Sequence, residues 1–363
     1  MTSRIDAAPQ TFEPIQYVAD LLDELATPNP AIRTVTDPIV AAELIHTEAR
    51  SRMRALLGHF RGTPALLLSG GVDSIFVAAL AVGAGVRPHA ITVVAEAGTD
   101  ESAAIEAAHA LGLEHEVIKL STGEVVELAQ EITRRIDTCE LWEVTAGIPL
   151  YAARACLDRI PDLGPILTGC VADTFFCGGY PLSHAPESPK ARVELDQRIR
   201  TQSAANCRYL RLVPNFYPAL LDSYADRFIH FFQTVRFWRI SETLGPTALF
   251  GQYDGQYVDK LALRMACAAQ LPSGAEHLAL GRKSPLQRSS GIMAGLFDAA
   301  RNHAAGLPGA GTYSNPLVED PESVANRLYL SILASGPESS EATADRSVVS
   351  PHYDPVHSTS SRK

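Results

Sequence analysis

The stretch ALLLSGGVDSIFVAAL, residues 65–80, decides the fold. Its first four residues are apolar without alternation, the pattern of a strand buried on both faces. From Asp73 to about Val82 the chain has the length and apolar content of a helix. Between them, Gly70 and Gly71 let the backbone turn tightly and approach a ligand closely. Backbone N–H groups at a helix N-terminus point toward an anion, and Ser69 and Ser74 add hydroxyl donors. Asp73 would repel a phosphate directly, but it suits a divalent cation that bridges phosphate oxygens. The plain alternative is a strand-to-helix turn capped by Ser or Asp. The complete SGGxDS string after a buried strand is far more specific than a Gly-Gly pair. No GK[ST] follows it, so it is not a Walker loop.

Working outward, a helical pattern runs from Pro38 to Phe60 before Gly62 and Pro64 break it. Downstream, PHAITVVA gives a strand over His89–Ala95, and Asp100 to Leu111 is helical with Thr99 or Asp100 as N-cap. HEVIKL (115–120) is a third strand and PILTG (165–169) a fourth, with helices over 124–136 and 150–159 between them. Alternating strands and helices predict an α/β fold with a parallel sheet covered on both faces. Ligands of such sheets sit beyond the carboxyl ends of the strands, where SGGVDS and the turn after PILTG both fall. After a Pro-rich loop at 181–189 the pattern is mostly helical to about residue 335. These changes divide the chain into an extension (1–37) with one short helical pattern near Tyr17–Leu25, a nucleotide domain (38–182), a helical substrate and lid region (183–335), and a Ser-, Glu-, Pro- and His-rich tail (336–363) expected to be disordered.

The formal charge of -10, with no Lys/Arg-rich run, argues against a nucleic-acid partner. The N-terminal sequence lacks a signal-peptide core, and the longest apolar stretch, Ile75–Val86, is too short to cross a membrane. A cytoplasmic protein is the expectation. Six cysteines without CxxC spacing suggest reduced thiols rather than a disulfide framework or a zinc site.

The phosphate loop resembles that of the ATP-pyrophosphatase (PP-loop) families, whose domain is HUP/Rossmann-like and whose members cleave ATP between the α- and β-phosphates. Two further stretches are similar to the asparagine-synthetase-like branch. TDESAAIEAAHALGLEHEVIKL (99–120) follows that branch's adenine-binding strand, which implies Thr92, Val93 and Val94 beside the adenine. LTGCVADTFFCGGYP (167–181) resembles the GEGADE…FGGY segment, which implies that Asp173 completes a Mg²⁺ site with Asp73 and that Gly169 lines the nucleotide. Gly178 and Gly179 match glycines that allow tight packing. LGRKSPLQRSSG (280–291) resembles the family's lysine-bearing loop, which implies that Lys283 contacts phosphates and intermediate from a mobile lid. DKLALRMACAAQLP (259–272) aligns equally with two neighbouring family helices, so no role follows for Lys260 or Arg264. The resemblance spans roughly residues 40–300 and implies ATP and Mg²⁺ as cofactors.

The chain departs from that branch in two ways. Residue 2 is Thr2 and only about 60 residues precede the phosphate loop, so a glutaminase domain is not expected. The nitrogen would come from free ammonia, an amine, or a separate ammonia-supplying partner protein. The glutamate that serves the attacking nitrogen in GEGADE is replaced by Cys170, a poor general base. Glu140 and Glu143, in a stretch resembling the substrate-side segment, are candidate bases, with helix surface as the alternative. Cys170 could instead carry sulfur from a sulfur-supplying partner to an adenylated carbonyl, or serve as a small buried hydrophobe.

Tyr224, Phe228, Phe231 and Val235 recur at helical spacing, read as a core stripe, with Arg227, Arg236 and Arg239 as candidate carboxylate binders or surface charges. The leading expectation is an AMP-forming ligase that adenylates a small carboxylic acid and passes it to a nitrogen nucleophile, in keeping with specialised metabolism. The alternatives are a sulfur transferase acting through Cys170 and an inactive nucleotide-binding subunit.

Overall fold

A computed structural model of the chain describes residues 27–207, 213, 215–281, 285–312, 315–320 and 324. The expected helix near Tyr17–Leu25 and the tail from 336 lie outside the described residues.

Helix α1 (Pro38–His59) begins where Asp37 accepts a hydrogen bond from the Ile39 N–H, with Pro38 in the first turn. Then follow β1 (Thr63–Leu67), α2 (Val72–Gly83), β2 (His89–Ala95), α3 (Asp100–Leu111) and β3 (His115–Leu120). Helix α3 starts at Thr99 and ends on left-handed Gly112. Helix α4 (Thr122–Ile136) carries a Ser121–Glu124 capping box. Helix α5 (Leu141–Leu157) starts nine residues before the expected 150, because Glu140 caps it and Leu141, Val144 and Ile148 bury its first turns. Strand β4 (Leu163–Thr168) leads to the short α6 (Ala172–Phe176) and to α7 (Pro189–Asn206).

The five-stranded sheet has the order β3-β2-β1-β4-β5, with every pair parallel. Its fifth member, β5 (Phe228–His230), corrects the single helical stripe expected over 224–235. That stretch splits into α8 (Phe216–Leu221), a 3₁₀ turn at Asp222–Arg227, β5, and α9 (Val235–Thr243). Phe228 and Phe231 are buried, as the core reading requires, but Phe228 sits in a strand that pairs with Ile166. The sheet therefore draws a strand from beyond residue 182, the expected edge of the nucleotide domain.

The strands alternate between two cores. Leu66, Ala90, Leu167 and Ile229 face the cluster built with α1, α2 and α3. Their neighbours Ala65, Ile91, Ile166 and Phe228 face the cluster built with α4, α5 and α8. Helix α2 is buried from Val72 to Ala81, which explains why it lacks a polar face.

The chain continues through α10 (Pro246–Leu249), the hairpin β6 (Gly251–Tyr253) and β7 (Gln256–Val258), α11 (Leu261–Ala268), α12 (Leu286–Ser289) and α13 (Ile292–Gly306). Asp254 and Gly255 both have positive φ, as a two-residue hairpin turn needs. No helix among the described residues is long and apolar enough to cross a membrane.

The helical part is tied to the sheet's functional end by a buried ion cluster. Arg33 Nε donates to Asp196 at 2.9 Å, and Asp196 and Glu242 both pair with Arg200. Arg33 also donates to the carbonyls of Ser241 (2.9 Å) and Leu244 (3.1 Å), and the Ser241 hydroxyl donates to the Phe175 carbonyl in α6. Burial lowers the Arg33 pKa, opposed by its Asp196 partner. Removing one member of a buried ion pair strands the other charge, so Arg33→Met should cost about 3–5 kcal/mol in urea unfolding. Lys119→Met, which breaks the exposed pair with Glu101, should stay within about 1 kcal/mol.

Candidate functional site

The strand order reverses at β1, between β2 and β4, and the turns after β1 and β4 meet there. Gly71 is the N-cap of α2, and Gly70 takes φ +69° against the start of α3. A Cβ on Gly70 would lie 2.8 Å from the Asp100 carbonyl oxygen, so only glycine holds this turn against α3. Ser69 and Ser74 hydroxyls lie 3.2 Å apart, and Ser74 Oγ donates to the Gly71 carbonyl. A Cβ on Gly169 would lie 2.7 Å from both the Asp73 carbonyl carbon and the Ser74 nitrogen. The second turn thus rests directly on the first turn of α2.

Asp73 is buried in the first turn of α2, and Asp173 stands in α6, which begins at Val171 with φ +76°. A β-branched residue in that conformation is strained. It re-aims the chain so that Asp173 faces Asp73 across the cleft. Their carboxylates converge on the ammonium of Lys260. Lys260 Nζ lies 2.7 Å from each oxygen of Asp73 and 2.5 Å from Asp173 Oδ1. Lys260 is fully buried and also strained, with φ 50° at the N-cap of α11. Its burial is tolerable because two carboxylates face it.

A second set of bonds fixes this lysine. Asp259 Oδ2 accepts from the Gly179 N–H at 2.6 Å, and Asp259 Oδ1 accepts from Arg264 at 2.9 Å. Arg264 then donates to the carbonyls of Ala279 and Gly281 at 2.8 and 2.9 Å. A Cβ on Gly281 would lie 3.7 Å from the Gly70 carbonyl oxygen, so this anchor ends beside the phosphate loop. A Cβ on Gly178 would lie 2.0 Å from Lys260 Cε and 2.2 Å from Asp173 Oδ1, so Gly178 makes room for the ion triad.

Lys283 lies outside the described residues, as do Arg282 and Ser284. Residues 285–291, expected to belong to a mobile lid, are tied to the end of β2. The Ala95 N–H donates to the Ser290 carbonyl (2.6 Å), the Thr99 N–H to the Ser289 carbonyl (2.7 Å), and Ser289 Oγ to Asp100 (2.8 Å). Gly98 and Gly291 permit this approach: a Cβ on Gly291 would lie 2.4 Å from the Gly98 nitrogen.

Val93 and Val94 are buried in β2, with Val93 in the core beneath α4 and α5. Thr92 donates to the Leu68 carbonyl at 2.6 Å and so braces β1 against β2. Glu140 is exposed at the start of α5, where its carboxylate accepts from the Trp142 N–H at 3.5 Å. The Arg288 guanidinium stacks 5.6 Å from the centre of the Trp142 ring, which joins the start of α5 to α12. Cys170 is exposed on the turn between Gly169 and Val171. The arginines considered as carboxylate binders are engaged internally: Arg236 with Glu48, Arg239 with Glu242, and Arg227 with the Leu163 carbonyl.

The site therefore unites Ser69, Gly70, Gly71, Asp73, Ser74, Gly169 and Asp173 at one place. Lys260 and Arg264 are the residues that sequence reasoning left without a role. The available signal was a lysine placed directly before the mostly apolar stretch LALRMACA (261–268).

A parallel α/β sheet with a glycine turn at its switch point and paired carboxylates beside it has the layout of a PP-loop domain. The asparagine synthase family model matches residues 59–286, and the chain belongs to that family, a class of ATP-dependent synthetases. Among solved structures, the chain is similar to NMN synthetase from Francisella tularensis at 16% identity and a TM-score of 0.30, over 69% of this chain and 98% of that one. No curated protein matches.

Gly178→Ala should lower stability by about 1–3 kcal/mol in urea unfolding, because its methyl group must displace Lys260 or Asp173. Gly306→Ala, with nothing within 4 Å of its Cβ, should change stability by less than about 1 kcal/mol.

Proposed function

We propose that this protein is an AMP-forming ligase that adenylates a small carboxylic acid and transfers the acyl group to a nitrogen nucleophile. The observation that carries this reading is the convergence of Asp73 and Asp173 on one cation beside the Ser69–Ser74 turn. ATP suits that turn because the N-terminus of α2, the glycine backbone and two hydroxyls offer donors for phosphate oxygens. The carboxylate pair has the donor chemistry of a divalent-cation site, and Mg²⁺ bound there would neutralise charge on the phosphates.

In the first step a carboxylate oxygen of the acid attacks the α-phosphorus. The bond from that phosphorus to the α,β-bridging oxygen breaks, and pyrophosphate leaves with the electron pair. Lys283 would supply positive charge where negative charge builds on the leaving pyrophosphate. In the second step the nitrogen lone pair attacks the acyl carbon, the acyl–oxygen bond breaks, and AMP departs. The surplus proton leaves the nitrogen for a base. Glu140 is our candidate, since Arg288 stacked on Trp142 brings the start of α5 against the segment that follows Lys283. Ammonia or an amine, free or supplied by a partner protein, is the nucleophile.

A sulfur-transfer reading draws on the exposure of Cys170. Burial pushes the Cys177 thiol up to about 11 and the Cys207 thiol up to about 12, and raises Cys267, where the Asp73 charge adds to the effect. Cys156 is also raised, to about 11, by burial and then by its hydrogen bond to Glu116. These groups remain protonated at neutral pH and are poor nucleophiles. Thiol labelling of native protein at pH 8 should therefore modify Cys139 and Cys170 rapidly and the other four cysteines only after unfolding. If Cys170→Ser keeps full amide synthesis, sulfur transfer is removed; the sulfur route requires that this variant lose turnover while the fold is kept.

Phosphorus NMR of incubations with ATP, Mg²⁺, ammonium and a panel of carboxylic acids should show AMP and pyrophosphate with at least one acid. Asp73→Asn should lower that rate by about 100-fold or more. Formation of ADP and phosphate instead would overturn the adenylation chemistry.

A further inference from the structure

Lys260 occupies the point that a metal ion bridging Asp73 and Asp173 would need. Mg²⁺ takes carboxylate oxygens at about 2.0–2.1 Å and tolerates little distortion. The ammonium already stands 2.7 Å from both oxygens of Asp73 and 2.5 Å from Asp173 Oδ1, so the gap between the carboxylates is filled by a charge of the same sign as the metal's.

The lysine is also built to stay. Its side chain is fully buried, and its Cε packs so closely on Gly178 that a methyl group there would overlap it. Its carbonyl accepts from the Arg264 N–H at 2.9 Å, and its neighbour Asp259 is held by Gly179 and Arg264. A hydrated divalent ion would have to shed water and dislodge this cation to reach the pair directly. A triphosphate changes that balance, because its own oxygens supply ligands and offset the repulsion between metal and ammonium.

We propose that Lys260 excludes free divalent metal from the Asp73–Asp173 pair, so that metal enters this cleft only together with nucleotide. The inference rests on the nucleotide-binding reading above. It makes Lys260 a positioning residue: it holds both carboxylates in place and sets the order in which metal and nucleotide arrive.

The test is a Mn²⁺ titration of the full chain, with free Mn²⁺ read by electron paramagnetic resonance, without nucleotide and with α,β-methylene-ATP. Wild type without nucleotide should bind Mn²⁺ no tighter than about millimolar, and Asp173→Asn should leave that weak binding unchanged. With the analogue, and counting only Mn²⁺ bound beyond what the analogue alone holds, wild type should gain a site at least about ten-fold tighter. Lys260→Met should gain a comparable site without nucleotide, and Lys260→Met/Asp173→Asn should lose it. Tight nucleotide-free binding in wild type that Asp173→Asn abolishes would overturn the proposal. So would a folded Lys260→Met, verified by circular dichroism, that gains no Mn²⁺ affinity. Should Lys260→Met fail to fold, the comparison of wild type with Asp173→Asn decides alone. Equilibrium dialysis of the radiolabelled analogue runs alongside. If wild type takes up no nucleotide, the nucleotide reading fails too; if nucleotide binds but Mn²⁺ binds tightly before it, only this proposal fails.

Discussion

A single buried ammonium holds the site together. Asp73 and Asp173 come from turns separated by about a hundred residues, and two carboxylates drawn to one point repel each other. Lys260, from a third part of the chain, makes their approach favourable. The surrounding architecture serves this contact. The β6–β7 hairpin delivers the lysine, Asp259 and Arg264 clamp its backbone, Gly178 clears its path, and strained Val171 turns Asp173 toward it. Strain at Val171 and Lys260 costs on the order of 1–3 kcal/mol each, which marks these positions as shaped by more than folding.

The same contact links the two halves of the molecule. Arg264 connects the lysine's turn to the carbonyls of Ala279 and Gly281, and Gly281 lies beside the Gly70 carbonyl. On the opposite side, the Arg33 cluster supports α6 through Ser241 and the Phe175 carbonyl, which keeps Asp173 in register with the sheet.

Much of this was legible in the sequence. Strands β2 and β3 and helix α3 fall on the expected residues because their apolar periodicity and caps are local signals. The strand–turn–helix around Ser69–Ser74 was legible because its glycines, hydroxyls and apolar flanks are consecutive residues. Strand β5 was not: three residues carry too little periodicity, and Phe228 and Phe231 happen to fall at helical spacing with their neighbours. Lys260 was not legible for another reason. Its partners are 187 and 87 residues away, and no local pattern states that a buried charge will be neutralised at that distance. The internal pairing of Arg236 with Glu48 was hidden in the same way.

The most direct measurement is a crystal structure of the protein with Mn²⁺ and α,β-methylene-ATP, with the metal located by its anomalous signal. The account requires the triphosphate over Ser69–Ser74 at the N-terminus of α2, with the metal between its phosphates and the Asp73–Asp173 pair and Lys260 still in contact with Asp73. A nucleotide bound away from that turn, or a metal on the two carboxylates with no phosphate ligand, would contradict it.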